Sequence, residues 1–143
     1  MVPFAAAFVC PSMPVLDPAV ATILVVEDEP TVCELAAEAL LEEGYRVLIA
    51  ADAWEAEAIL ARESVDLLFT DIDLARNTNG LALARWARSH CPDLPVVYTS
   101  GGRACLPDGD AVPGSVFVPK PYRPSQLVGL THDVLRAAHL HHA

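Results

Sequence analysis

Five short apolar runs alternate along the chain with longer segments in which apolar residues recur at helical spacing. The runs are rich in β-branched or large residues and lack polar alternation, which is typical of strands buried on both faces of a parallel sheet. The alternation of such strands with helices predicts an α/β fold whose sheet carries helices on both faces. The runs lie at residues 22–26, 45–50, 65–70, 95–99 and 115–118.

Four segments have the spacing of amphipathic helices. The first begins near residue 30, and the second begins at Asp52, where Asp52 and Glu55 have the spacing of a capping box. The third follows Gly80, and the last covers about residues 124–139. The residues predicted to face the core are Val32, Leu35, Ala36, Ala39 and Leu40 in the first helix, Trp54, Ala58 and Ile59 in the second, Leu83, Ala84 and Ala87 in the third, and Leu127, Thr131, Val134, Leu135 and Ala138 in the last.

The connection between the fourth and fifth runs, residues 103–114, contains Pro107, Pro113 and an Asp108-Gly109 pair. These residues favour turns, and an interior proline costs a helix about 3 kcal/mol. We therefore predict a short or irregular helix in this connection. The whole pattern divides the chain into an N-terminal extension at residues 1–20, one domain at residues 21–140 and a tail at residues 141–143.

Composition narrows the class of protein. The chain has 143 residues, of which 53% are hydrophobic and 20% are charged, and this fits one globular domain and excludes a disordered chain. The formal net charge of −10 argues against direct binding to nucleic acid, because phosphate contacts need clustered Lys and Arg. No apolar run is long enough to insert into a membrane, and the four cysteines lack metal-ligand spacing. We therefore expect a cytoplasmic protein.

Chemically reactive side chains lie at the ends of four of the five predicted strands. Because the carboxyl ends of parallel strands meet at one edge of the sheet, we expect these side chains to converge there. Converging carboxylates repel one another unless a hard cation joins them, and Mg²⁺ prefers ligation by oxygen alone. The residues concerned are Glu27, Asp28 and Glu29 after the first strand, Asp71 and Asp73 after the third, Thr99 and Ser100 at the end of the fourth, and Lys120, the only lysine in the chain, after the fifth.

Four short motifs occur in a fixed order at these strand ends. They are LVVED from residue 24, LLFTD from residue 67, PVVYTSG from residue 95 and FVPKPY from residue 117. As an ordered set they resemble the receiver domain of two-component response regulators, and the resemblance covers about residues 21–140. It implies a flavodoxin-like fold with five parallel strands in the order 2-1-3-4-5.

The resemblance implies a role for each residue of the acidic site. Asp71 matches the phosphoacceptor, and Lys120 matches the lysine that pairs with the phosphoryl group. Glu27 and Asp28 match the acidic pair that holds Mg²⁺, together with Asp71 and the backbone carbonyl of Asp73. Mg²⁺ is therefore the implied cofactor. The resemblance also implies a cis peptide bond between Lys120 and the proline that follows it.

A route for the signal is implied by the same resemblance. Ser100 matches the switch hydroxyl, with Thr99 as its neighbour, and Phe117 matches the aromatic switch position. The implied phosphoryl donor is a phosphohistidine on a sensor histidine kinase or a histidine phosphotransfer protein. The phosphorylated form would bind an unknown downstream protein, and the formation of a homodimer is left open.

We expect a stand-alone receiver that catalyses its own phosphorylation and slow dephosphorylation and has no activity on an external metabolite. One alternative is a small phosphatase of the haloacid dehalogenase type, since Asp71 and Asp73 match its Asp-x-Asp nucleophile motif. Against it, that motif normally follows the first strand, and here it follows the third. A second alternative is a binding module that is not phosphorylated, but the complete acidic set and Lys120 argue against it.

Overall fold

Five parallel strands form a single sheet in the order β2-β1-β3-β4-β5, which confirms the predicted flavodoxin-like topology. The structure is a computed structural model, and it describes residues 21–103, 105–106 and 109–142, with side chains as far as residue 138. The strands β1, β3 and β4 are buried along their whole length because they lie inside the sheet, whereas β2 at the edge is partly exposed. The strands are β1 (Thr22–Val26), β2 (Arg46–Ala50), β3 (Leu67–Asp71), β4 (Val96–Ser100) and β5 (Val116–Pro119).

Helices cover both faces of this sheet, as the alternating pattern predicted. One apolar core lies between the sheet and α2 and α3, and the other lies between the sheet and α1 and α4. Within the part of the chain that the structure describes, no helix combines the length and apolar character needed to cross a membrane. The helices are α1 (Pro30–Glu42), α2 (Ala53–Arg62), α3 (Gly80–His90) and α4 (Pro124–His142).

Local sequence determines where the helices begin and end. At the start of α2, the carboxylate of Asp52 accepts the N–H of Glu55 at 2.8 Å, as the spacing predicted. The side chain of Asn79 caps α3 in the same way and accepts two backbone N–H groups. The first helix starts at Pro30, whose ring suits the first helical turn. After α1, Gly44 has a φ of 94°, a conformation that glycine adopts without strain.

Three residues that were predicted to face the core lie on the surface. Leu35 is 53% exposed, Trp54 is 65% exposed, and Ala58 is also exposed. The buried stripe of each helix overlaps the predicted one, since Ala36, Ala39 and Leu40 in α1 and Ile59 in α2 are buried as predicted, but it is rotated toward neighbouring small residues. Small residues let a helix approach the sheet closely, so packing selects that face. The buried residues are Cys33, Ala36, Ala37, Ala39 and Leu40 in α1 and Ala53, Ala56, Ile59 and Leu60 in α2.

The connection between β4 and β5 contains no helix in its described residues, 101–103, 105–106 and 109–115, in agreement with the turn residues there. It is nevertheless anchored to the rest of the domain. The N–H of Val112 donates to the hydroxyl of Tyr98 at 3.2 Å, and the guanidinium of Arg85 donates to the carbonyl of Asp110 at 3.0 Å. Val112 is buried, and Leu106 packs against the same core. The connection is therefore irregular but held at defined points.

Candidate functional site

Asp71 is the last residue of β3, and its side chain is buried at the carboxyl edge of the sheet. Its Oδ1 accepts the N–H of Asp73 at 3.2 Å, and its Oδ2 accepts a hydrogen bond from Nζ of Lys120 at 2.8 Å. The carbonyl of Asp71 accepts the hydroxyl of Thr70 at 2.9 Å. Because each carboxylate oxygen has a donor, the orientation of this carboxylate is well determined.

Lys120 supplies the positive charge of the site. Its Nζ lies 2.7 Å from Oε1 of Glu27 and 3.5 Å from Oε1 of Glu29, in addition to its bond with Asp71. Burial alone would lower the pKa of this ammonium, but its bonds with Asp71 and Glu27 outweigh burial and raise the pKa above the ordinary value. The peptide bond between Lys120 and Pro121 is cis, as the resemblance implied. One ammonium therefore faces three carboxylates.

Glu27 is a buried carboxylate that is only partly satisfied. It is 4% exposed, and its Oε2 accepts the N–H of Glu29 at 3.2 Å. Its Oε1 forms an ion pair with Lys120 but lacks a hydrogen bond of good geometry to any described residue. Burial raises the pKa of Glu27, Lys120 lowers it, and the charge of Asp71 raises it again. A second cation at this oxygen would therefore be stabilised.

Three carboxylates meet the geometric requirement of a metal site. Glu27, Asp28 and Asp71 each offer an oxygen, and these oxygens all lie within 4.8 Å of one another. Asp28 is exposed, so water can complete the coordination of an ion there. An all-oxygen donor set that includes the buried carboxylate of Glu27 fits a hard divalent cation such as Mg²⁺. The residues present therefore fit the predicted cofactor.

The loop from β3 to α3 lies directly against Asp71. Gly80 begins α3, and its N–H donates to the carbonyl of Ile72 at 2.7 Å. A Cβ at position 80 would collide with the carbonyl oxygen of Asp71, so a larger residue does not fit without movement of the backbone. Asp73 is exposed, pairs with Asn79 in an isolated bridge, and reaches Asp71 through its backbone N–H. The backbone of Asp73, rather than its carboxylate, is thus the part that contacts the site.

The same loop is tied to the start of α2, a link that sequence reasoning did not find. Nε of Arg76 lies 3.0 Å from Oδ2 of Asp52, and the hydroxyl of Thr78 accepts the N–H of Ala53 at 3.1 Å. Arg76 and Asn77 have φ values of 58° and 55°, in the left-handed region. The presence of an asparagine is the one sequence signal for such a turn. The course of this loop therefore depends on α2 as well as on β3.

The predicted switch residues lie at the carboxyl end of β4 and within β5. Thr99 is the register partner of Asp71, and both Thr99 and Ser100 are buried. The hydroxyl of Ser100 accepts the N–H of Gly102 at 3.2 Å, whereas that of Thr99 has no hydrogen-bond partner among the described residues. Phe117 is half-buried against the core beneath α2 and α3. The fold thus brings both hydroxyls to the strand end that carries the acidic site, with Phe117 on the neighbouring strand.

A groove beside Lys120 was not expected from the sequence. Its volume is about 430 Å³, and it is bordered by the exposed Leu35 and by the partly buried Tyr122. The ring of Tyr122 packs edge-on against Phe69, with the ring centroids 5.8 Å apart. Burial raises the pKa of the Tyr122 hydroxyl to about 12, and the charge of Glu27 is the next cause. The spacing of the FVPKPY motif, which puts the tyrosine two residues after the lysine, was the only sequence signal for this placement.

The family model of the response regulator receiver domain matches residues 23–131 of the amino-acid sequence. The chain belongs to this family. All of the predicted site residues lie within the matched range of this receiver domain. The match therefore confirms the family that the ordered motifs indicated.

Known proteins similar to this receiver include regulatory proteins of two bacteria. The nitrogen assimilation regulatory protein NtrX of Azorhizobium caulinodans is 34% identical over an alignment of 121 residues, and the match covers 82% of this chain and 27% of that protein. The alginate biosynthesis transcriptional regulatory protein AlgB of Pseudomonas aeruginosa is 36% identical over 107 residues, 73% of this chain and 24% of that protein. The chain spans about a quarter of the length of these curated relatives.

A crystal structure of a response regulator receiver protein from Sinorhizobium medicae superimposes on this receiver with a TM-score of 0.78. The two are 29% identical, and the alignment covers 83% of this chain and 97% of that one. The comparisons do not support a phosphatase of the haloacid dehalogenase type. The Asp71-Ile72-Asp73 sequence follows the third strand of the chain, not the first.

Proposed function

We propose that the protein is a response-regulator receiver that accepts a phosphoryl group on Asp71 in a Mg²⁺-dependent reaction. The observation that carries the proposal is the 2.8 Å bond between the buried Asp71 carboxylate and Lys120, beside the carboxylates of Glu27 and Asp28. Receiver domains take phosphoryl groups from histidine kinases. The donor is therefore a phosphohistidine on a sensor histidine kinase or a histidine phosphotransfer protein.

The residues of the chain provide a nucleophile, positioning and charge neutralisation. A carboxylate oxygen of Asp71 bonds to phosphorus while the phosphorus–nitrogen bond of the donor breaks, and the electron pair of that bond returns to the imidazole. Lys120 neutralises charge on the phosphoryl oxygens, and the N–H of Asp73 holds the nucleophilic carboxylate. Phosphoryl transfer requires mainly such positioning and neutralisation. When bound, Mg²⁺ would be held by Glu27, Asp28, Asp71 and the backbone carbonyl of Asp73, and it supplies further neutralisation of phosphoryl charge.

Phosphorylation would signal through the phosphoryl group at Asp71, which carries about two negative charges in place of the single charge of the carboxylate. The hydroxyl of Ser100, with Thr99 as its neighbour, can bond a phosphoryl oxygen, and the half-buried Phe117 can then pack inward. A downstream protein would bind the altered surface. The proposal places the receiver in the cytoplasm, where a kinase has access to ATP. It includes slow hydrolysis of the bound phosphoryl group and no reaction with an external metabolite.

The substitution Asp71→Asn tests the acceptor. The amide cannot attack phosphorus, so the variant should gain no phosphoryl group under conditions in which the wild type gains one. Intact-mass spectrometry after incubation with acetyl phosphate and Mg²⁺ measures this difference. Asp133→Asn, which removes an exposed carboxylate on α4, is the control and should be phosphorylated like the wild type.

Three other outcomes would contradict the proposal. Phosphorylation of Asp71→Asn at the wild-type rate would show that another residue is the acceptor. Hydrolysis of many unrelated phosphate esters by the wild type would favour the phosphatase alternative. A wild type that never gains a phosphoryl group from the donor would favour a binding module that is not phosphorylated.

A further inference from the structure

A buried carboxylate outside the acidic site is paired with the loop that follows the acceptor strand. The side chain of Asp52, at the start of α2, is only 2% exposed. Its Oδ1 accepts the N–H of Glu55 at 2.8 Å, and its Oδ2 lies 3.0 Å from Nε of Arg76. Because solvent screens a buried carboxylate only weakly, this ion pair attracts Arg76 to α2 more strongly than a pair on the open surface would.

The loop that carries Arg76, residues 72–79, is closed upon itself, and we call it the acceptor loop. The N–H of Leu74 donates to the carbonyl of Thr78 at 3.2 Å, and the N–H of Thr78 donates to the carbonyl of Ala75 at 3.1 Å. The hydroxyl of Thr78 also donates to this carbonyl at 2.7 Å and accepts the N–H of Ala53, in α2, at 3.1 Å. A shift of the side that faces α2 would therefore be passed to the side that faces the acidic site.

The backbone at Arg76 is held in an unfavourable conformation. Its φ of 58° lies in the left-handed region, as does the φ of 55° of Asn77. Asparagine visits this region routinely, whereas arginine does not. Such conformations persist only where the surrounding structure holds them. The ion pair with Asp52 holds the Arg76 side chain, so we expect the loop to relax when the pair is removed.

The other end of the acceptor loop reaches the acidic site through the backbone of Asp73. The N–H of Asp73 donates to Oδ1 of Asp71 at 3.2 Å, and Asp73 pairs with Asn79 in an isolated bridge. Its carbonyl is the proposed backbone ligand of Mg²⁺. A backbone carbonyl cannot be aimed by rotation of a side chain, so the course of the loop determines its position. Mg²⁺ demands near-ideal octahedral geometry, which makes its binding sensitive to a small displacement of one ligand.

We propose that Arg76 is a positioning residue that, through its ion pair with Asp52, holds the acceptor loop in the conformation that binds Mg²⁺. This inference rests on the proposed function, because it takes the carbonyl of Asp73 as a ligand. Positioning and simple charge have opposite effects on Mg²⁺ affinity. Arg76 repels a cation, so loss of its charge alone would strengthen Mg²⁺ binding, whereas loss of its positioning role weakens it.

The substitution Arg76→Ala removes the guanidinium and keeps a Cβ, so the left-handed backbone conformation gains no relief from the new residue. Calorimetric titration should show Mg²⁺ binding roughly five-fold weaker than in the wild type, less than the loss of about ten-fold or more for a group that orients a ligand directly, because Thr78 still ties the loop to α2. Arg76→Lys, which keeps a cation for Asp52, should recover most of the affinity.

The control is Arg136→Ala, which removes an exposed guanidinium on α4. Its affinity for Mg²⁺ should stay within about two-fold of the wild type, because an exposed charge far from the site is screened by solvent.

Hydrogen exchange without Mg²⁺ supplies a second measurement. The N–H of Asp73 should exchange faster in Arg76→Ala than in the wild type, because its bond to Asp71 depends on the held loop. Exchange in β1 should be unchanged, which distinguishes a local change in the loop from a loss of stability of the whole domain.

Four outcomes would contradict these expectations. Mg²⁺ affinity that is unchanged or higher in Arg76→Ala would overturn the inference, since charge alone would then account for Arg76. An equal loss in Arg76→Lys would overturn it too, because the pair with Asp52 would not be the cause. Unchanged exchange at Asp73 would show that the ion pair does not hold the loop. A wild type that binds no Mg²⁺ would overturn the proposed function itself.

Discussion

Asp28 and Glu29 are adjacent acids with different surroundings. Asp28 contributes an oxygen to the group formed with Glu27 and Asp71, whereas Glu29 is exposed and lies 3.5 Å from Nζ of Lys120. We expect Asp28→Ala to weaken Mg²⁺ binding roughly ten-fold or more, because it removes a ligand oxygen. Glu29→Ala should change the affinity by less than about two-fold, because an exposed charge is screened by solvent.

Calorimetric titration of both variants with Mg²⁺ measures these affinities. The two substitutions remove the same charge from neighbouring positions, so each serves as the control for the other. Equal losses would show that the acidic run acts only as a diffuse negative surface. The comparison of the two substitutions therefore distinguishes a site made of specific ligands from a diffuse negative surface.

Two glycines in helices should respond in opposite directions to the same substitution. A Cβ at Gly80, where α3 meets β3, would collide with the carbonyl of Asp71, whereas a Cβ at Gly129 in α4 meets no atom within 4 Å. Gly80→Ala should therefore destabilise the protein by about 2 kcal/mol through overpacking. Gly129→Ala should stabilise it by about 1 kcal/mol, because alanine has the higher helix propensity. Urea unfolding measures both changes, and a neutral Gly80→Ala would show that α3 can move away from the acceptor strand at little cost.

The connection between β4 and β5 should respond to phosphorylation. It follows Ser100 and is held to β4 by the bond between the N–H of Val112 and the hydroxyl of Tyr98. In the resting protein we expect the N–H of Val112 to exchange more slowly than that of Ala111, which has no observed backbone bond to a residue that the structure describes. Beryllofluoride, a mimic of a phosphoryl group on aspartate, should change exchange in residues 109–114, because the proposed movement of Ser100 and Phe117 would displace both flanking strands.

Hydrogen exchange with and without the mimic measures this response, and the loop at residues 63–66, which precedes the central strand β3, is the internal control. Exchange in residues 109–114 that ignores the mimic would show that the signal leaves through another element. Because the described part of this connection lacks a helix, we expect it to be the segment that phosphorylation can order most.

Stability of the whole molecule should fall in strongly alkaline solution. Burial raises the pKa of Tyr98 and that of Tyr122, the latter to about 12, and bonds with Asp71 and Glu27 raise that of Lys120 despite its burial. The unfolded chain releases these protons near the ordinary values of 10.0 for tyrosine and 10.5 for lysine. The folded protein holds them longer, so their contribution is complete below about pH 10 and is lost as the pH rises toward about 12.

Urea-unfolding midpoints measured from about pH 8 to about pH 12 test this expectation. The midpoint should fall above about pH 10, and Tyr122→Phe should show a shallower fall than the wild type because it lacks one of the three groups. A midpoint that stays constant across this range would show that folding does not shift these protons. A midpoint that falls above about pH 10 would show that titration of these groups is coupled to unfolding of the whole domain.

Much of the domain follows from sequence patterns alone. The five predicted strands begin and end within about two residues of the observed ones, because buried strands without polar alternation are conspicuous between helical segments. The carboxyl ends of parallel strands share one edge, so Asp28, Asp71 and Lys120 were expected to meet, and they do. The turn residues at 107–109 and 113 likewise predicted that the connection between β4 and β5 is irregular.

Other features were decided only by the tertiary structure. In the alanine-rich helices, two adjacent faces have helical spacing, and close packing on the sheet buried the face without Leu35 or Trp54. The need for glycine at position 80 and the unpaired hydroxyl of Tyr122 arise where distant segments meet. The bond between Lys120 and Asp71, for example, joins residues that are 49 positions apart in the sequence. Local patterns report the periodicity of one segment, whereas contacts of this kind depend on how several segments pack together.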